Sequence, residues 1–341
     1  MQAPDILRQL SQPAPAQPAG SMNLMAREGE LNDIPAWYAI HHRLGLPYPE
    51  SSWRALPELW RALLSTGRLL LFLVEDRSRP PGARMISCCA AIFVTDAFCE
   101  EAKSKLPPFL GIQLARLYRD HRLPVLDRAQ IARANAEEGL NLMVCFEGHD
   151  RSALSHEQFL AVREKQGEAF HHALRGFRLK EFLANPIGEE AYQETIDAGA
   201  RLRRDYRECL AKDAGAGRGS LPRLVGLTKE EAEEHPGSHL ASLFVYTPPR
   251  FHFSQAEQRL LEHALTGETC EDLAASLSLS PWTVKKRWHA IYERVEEVDR
   301  DLLPQTLADG RAVHARGAER RRRLLGYLRQ HPEELRPWRL T

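Results

Sequence analysis

The chain has 341 residues, 43% of them hydrophobic, enough for more than one domain and a large core. Its 46 basic residues balance 46 acidic ones, so total charge neither favours nor excludes a polyanionic partner; only local charge bears on that. No run of 18 apolar residues is present and the six cysteines form no CxxC pair. That excludes a membrane-spanning helix and the paired-cysteine zinc signatures, and leaves buried free thiols in a reducing cytoplasm as the expected state.

Residues 1–21 are rich in Pro, Ala and Gln, lack a charged-then-apolar leader pattern, and are expected to form a disordered tail. Residues 22–248 read as a mixed α/β domain. Helices are predicted over 33–44 and 52–65, followed by a buried strand at 68–75, a Pro-Pro-Gly turn and a second strand at 84–95. A third strand is predicted at 139–146, then a long amphipathic helix over 155–174 that stops before Gly176. A short strand at 180–184, a helix over 189–206 and two strands at 221–226 and 239–246 complete the domain, the last two separated by the acidic segment 229–234. Pro248 and Pro249 then break the chain, a plausible domain boundary.

Candidate chemistry in this domain is sparse. His41-His42 and His171-His172 are adjacent pairs, and neighbours on a helix diverge by some 100°, which disfavours joint ligation of one metal. Cys88 and Cys89 sit in a strand and face opposite sides, as core filling would have it. Glu147, His149 and Asp150 are ligand types in one short stretch, too little for a metal site. No Gly-x-Ser-x-Gly or Walker-type loop is present. No catalytic residue, metal or cofactor is therefore expected.

Residues 253–295 carry the most specific pattern. Ser254 to Glu257 is a capping box, Leu260, Leu261, Ala264 and Leu265 share one face, and Gly267 is a helix stop. Thr269 opens a short helix, and Ser280-Pro281 caps a third that runs to about Val295. Val284, Trp288, Ile291 and Val295 fall on its inner stripe, while Lys285, Lys286 and His289 lie opposite, with no acid between Asp272 and Glu293. The segment resembles the LuxR-type (GerE-type) helix-turn-helix, matched by Phe253, Ser254, Glu257, Gly267, Leu279, Ser280, Thr283, Val284, Lys285 and Ile291. It departs from that family at Arg287, where histidine is usual, and at Cys270 and Glu271. The resemblance implies base contacts from Lys285, Lys286 and His289 and phosphate contacts from Thr283 and Arg287. From residue 251 onward, 15 basic residues face 14 acidic ones, so binding would need dimerisation to double it. After the recognition helix, a helix over 318–330 carries Leu324, Leu325 and Leu328 and is the candidate dimer element. Arg320 to Arg323 on it are read either as phosphate contacts or as a solvated face.

The order of elements in residues 22–248 is also similar to the GNAT acyltransferase architecture. That family's Q/R-x-x-G-x-G/A turn, which cradles the acyl-CoA pyrophosphate, is absent after the third strand, where Glu147-Gly148-His149-Asp150-Arg151-Ser152 stands instead. The expected fold class is thus α+β, a GNAT-like sheet with flanking helices over 22–248, an all-α helix-turn-helix at 249–300 and a helical extension at 301–341. The expected function is a cytoplasmic, homodimeric, sequence-specific DNA-binding transcriptional regulator, not an enzyme. Its partner would be double-stranded DNA, and the first domain would sense an unknown small-molecule effector. The alternative is a GNAT-like N-acyltransferase with an appended helix-turn-helix module. Amine-dependent turnover of an acyl-CoA separates the two.

Overall fold

The computed structural model describes residues 22–46, 48–151, 154–206, 222–304 and 313–337. The expected tail at 1–21, Cys209 and the start of the strand predicted at 221 lie outside them. The chain divides into two compact units, the second formed by Leu174–Arg178 together with everything from Tyr246 onward.

The first unit is α+β, built on one seven-stranded sheet in the order β1-β2-β3-β4-β5-β7-β6. The strands are β1 (Leu24–Glu28), β2 (Leu69–Asp76), β3 (Met85–Val94), β4 (Leu140–His149), β5 (Leu179–Ala184), β6 (Arg201–Asp205) and β7 (Arg223–Thr228). All neighbours are antiparallel except β4 and β5. A parallel pair needs a long crossover, and here it is the helix α6 (His156–Leu174). All ten residues of β3 are buried, because helices cover both faces of the sheet. On one face lie α1 (Ile34–Arg43), α2 (Glu50–Ser65), α3 (Asp96–Ser104) and α4 (Leu110–Arg119), with Trp37 and Trp60 stacked 3.6 Å apart at the centre. On the other, α6 sets Phe170 edge-on to Phe72 and Val162 against Val74 and Ile86. Two further helices, α5 (Arg128–Ala136) and α7 (Glu189–Asp197), precede β4 and β6.

Several expectations are corrected. The helix predicted over 189–206 ends at Asp197, and β6 follows. Gly199 holds φ at +112°, and a Cβ there would lie 2.5 Å from Ser238 Oγ, so the chain turns sharply where a helix would have continued. The strand predicted at 239–246 is a 3-10 helix, Leu240–Phe244, while the acidic segment is a short helix, α8 (Lys229–Glu234), with Thr228 and Glu231 forming its capping box. Strand β1 and helices α3, α4 and α5 were not anticipated, and β4 runs three residues past the predicted end, to His149.

The second unit is helical: α9 (Gln255–Leu265), α10 (Cys270–Ser276), α11 (Pro281–Val298) and α12 (Val313–Gln330). Its caps form as the sequence requires. Ser254 and Glu257 make a capping box, Gly267 takes φ +92°, and Ser280 Oγ accepts from Thr283 N ahead of Pro281. Val284, Trp288, Ile291 and Val295 are all buried. Leu324, Leu325 and Leu328 of α12 are buried in the same core, so this stripe is not an open face for dimerisation.

Candidate functional site in the gap between β4 and β5

The parallel ladder runs from Leu140 opposite Leu179 to Val144 opposite Ala184 and stops there. Two local features end it. The pairing of β4 with β3 shifts register between Ala90 and Ala91, leaving Cys145 as the extra residue of a bulge that bends β4. On the other side β5 gives way to Asn185-Pro186, and proline has no N–H to extend a ladder. Asn185 fixes the departure: its side chain accepts from Leu110 N at 3.2 Å and donates to Arg223 O at 2.9 Å. The outer half of β4, Cys145–His149, therefore keeps its partner β3 on one edge. Among the described residues no strand pairs with its other edge.

A cavity of about 400 Å³ occupies this gap. Strand alternation turns Glu147 and His149 toward α6. There the Arg163 guanidinium donates to Glu147, reaches Glu194 of α7 at 3.2 Å with its other arm, and approaches His149 Nε2 at 3.0 Å. His149 Nε2 is 3.2 Å from Glu147, and its Nδ1 is 3.0 Å from Ser87 Oγ. Ser87 in turn donates to Gln166 Oε1 at 3.0 Å. Burial pushes the Glu147 carboxyl up, but the Arg163 charge and the His149 bond outweigh it and hold the group well below the usual carboxylate range. At the mouth, Arg151 pairs with Glu190 of α7 and lies 4.1 Å over the Phe159 ring.

The opposite wall comes from α1 and the segment after it, with His41 and Tyr48 facing the gap. His41 is buried, and desolvation pushes its imidazole down to about 3, so it is neutral at ordinary pH. Burial pushes the Tyr48 phenol and the Cys145 thiol up, so both keep their protons.

The residues predicted as a DNA-reading set all lie on α11, in the second unit, and most are engaged within the chain. Thr283 Oγ1 is 2.8 Å from the capping Ser280 Oγ, Arg287 donates to Ala256 O at 3.3 Å, and His289 Nδ1 is 3.5 Å from Glu293. Lys286 Nζ sits 5.4 Å over the ring of the exposed Trp282, and Lys285 is exposed. On α12, Arg320 pairs with Glu296 at 2.5 Å, Arg321 donates to Glu268 O, and Arg322 and Arg323 pair with Glu319. Among the described residues no group of three His, Cys, Asp or Glu is placed to hold a metal, and no helix is long and apolar enough to cross a membrane.

The residues of the gap were visible in sequence only as Glu147, His149 and Asp150, read as a loop triplet. Ending the strand at 146 concealed that Glu147 and His149 share a strand face. Asp150 is instead paired with Arg43 at 3.2 Å.

No family model and no curated protein matches the chain. Solved structures do. Arabidopsis thaliana NAA60 in complex with acetyl-CoA matches at 12% identity and a TM-score of 0.38, over 61% of this chain and 99% of that one. A mosquito arylalkylamine N-acetyltransferase like 5b matches at 13% and 0.36, over 60% and 100%. FeeM, an N-acyl amino acid synthase from uncultured soil microbes, matches at 12% and 0.34, over 63% and 96%. These neighbours are acyl-group enzymes, and nothing found shows a LuxR-type helix-turn-helix. The expectation of a non-enzymatic DNA-binding transcriptional regulator, with double-stranded DNA as its main partner, is corrected accordingly.

Proposed function

We propose that the first unit is an N-acyltransferase that moves an acyl group from a coenzyme A thioester to an amine, and that the helical unit is an appended helix-turn-helix module. The observation that carries the reading is the free edge of β4 from Cys145 to His149, facing a cavity beside Glu147 and His149. An extended donor arm bearing amides fits such an edge, because free backbone N–H and C=O groups pair with it as another strand would.

The phosphate end of the donor fits less regularly, since the glycine-rich turn is missing. What the mouth offers is Arg151 and the N-terminal end of the 19-residue α6, where helix N–H groups and the dipole favour an anion. Donor phosphates would compete with Glu190 for Arg151.

In the reaction, the amine nitrogen attacks the thioester carbon, a C–N bond forms and the C–S bond breaks. The Glu147–His149 pair takes the proton released by the amine. Tyr48, whose phenol stays protonated, supplies the proton that the departing thiolate needs.

The test is release of coenzyme A thiol by the full chain from acetyl- and longer acyl-CoA donors, with and without a panel of amines. Amine-dependent release is expected. His149→Ala should lower kcat by about 10²–10⁴, the range for a lost proton-transfer group, with donor Kd within a few-fold of the parent. A chain that neither binds nor turns over any donor sinks the proposal.

A further inference from the structure

Val144, Glu147, Arg163, Ala184, Glu194 and Thr195 line not only the gap but also a second cavity, of about 380 Å³. It extends from the gap along α6, beside α7, as far as His171 and His239, whose Nε2 atoms are 3.2 Å apart. Residues one or two turns apart on α6 follow one another along it: Arg163 at the junction, Gln166 and Gly167 in the middle, Phe170 and His171 at the far end.

Two features of this stretch call for an occupant. Gly167 stands inside α6, where glycine weakens a helix relative to alanine. A Cβ there would meet only His239 Nε2, at 3.8 Å, so packing does not demand the glycine and its missing side chain leaves open space. Gln166 is 5% exposed; its Oε1 accepts from Ser87, while its buried Nε2 has no hydrogen-bond partner. A buried donor of this kind is costly unless a ligand oxygen meets it. Beyond it Phe170, Phe182 and Leu240 supply apolar wall, with the His171 and His239 rings at the far end.

We propose that this second cavity holds the aliphatic chain of the donor, so that the transferred group is a medium- or long-chain acyl group rather than acetyl. The Gln166 amide, buried in this structure, turns its Nε2 toward the cavity to meet the acyl carbonyl oxygen, and the chain runs past Gly167 to the aromatic end. The proposal rests on the acyl-transfer reading above and specifies its substrate class.

Calorimetric titration of the full chain with acetyl-, hexanoyl-, octanoyl- and decanoyl-CoA tests it. Each added methylene buried in the cavity should lower Kd about fourfold until the cavity is full. Gly167→Phe should fill the space and cut the octanoyl-to-acetyl affinity ratio at least tenfold. Gly167→Ala, which adds one methyl and favours the helix, should keep most of the ratio and shows that the position tolerates a side chain. Acetyl-CoA bound as tightly as octanoyl-CoA, or a ratio unmoved by Gly167→Phe, overturns the chain pocket and leaves acyl transfer standing. No binding of any donor removes both.

Discussion

His41 shows how one residue ties the wall of the gap to pH. It is buried against Trp37, Trp60 and Phe146, with ring centroids 5.6–6.1 Å from its own, and its Nδ1 lies 4.0 Å from Cys88 Sγ; the Glu147 charge across the gap offsets only part of the cost of burial. None of these groups solvates an imidazolium, which is why burial depresses the ring to about 3 from an ordinary 6.5. The folded chain then binds fewer protons at this site than the unfolded chain between those two values. Stability from this group is fully present above pH 6.5 and is lost as pH falls from there toward 3. The melting temperature should decline from about pH 6.5 downward, before most carboxylates titrate, and His41→Gln should flatten the curve between pH 6.5 and 5. Parallel curves for the two proteins would show that His41 does not control this limb.

At the scale of elements, legibility followed periodicity. The long helix α6, the capped helices α9 to α11 and the largely apolar run of β3 were readable, because caps, 3.6-residue stripes and continuous apolar sequence leave local marks. The stretch from Asp96 to Ala136 was not, since Pro107-Pro108 and Pro124 cut it into three helices of nine or ten residues in place of one long periodic run. The gap itself was illegible for a different reason. It depends on a bulge at Cys145 and on Asn185 bonding to Leu110 and Arg223, contacts between residues distant in sequence. Gly199 lies between these cases: its positive φ was not deducible, yet it decides whether 201–205 is helix or strand. Replacing it by alanine forces a Cβ to within 2.5 Å of Ser238 Oγ and strains the backbone. Gly199→Ala should destabilise the first unit by about 1–3 kcal/mol in urea unfolding. A stability change within 0.5 kcal/mol would mean that the turn relaxes freely.

At the scale of the whole molecule, the second unit is not one continuous piece of sequence. Leu174–Arg178, the last residue of α6 and the four that follow it, belong to it. Within that unit Arg175 reaches the nearly buried Glu333 at 2.7 Å and the carbonyl of Gln330 at 3.0 Å, and Arg336 lies 4.8 Å from the Phe177 ring. Glu333 has His331 as a second partner at 2.9 Å, so the loss of Arg175 weakens its pairing without abolishing it. Removing one charge-assisted partner from a buried carboxylate costs about 1–3 kcal/mol. Arg175→Ala should therefore speed hydrogen exchange in α9 and α11 by about 5- to 150-fold, with the amides of β2 and β3 unchanged. A fragment that starts at Tyr246 lacks the whole 174–178 segment and should lose more protection in α9 and α11 than the single substitution does. If the fragment matched the full chain there, the five residues would add nothing to the second unit. The helical module would then be separable from the first unit at the Val245–Tyr246 boundary.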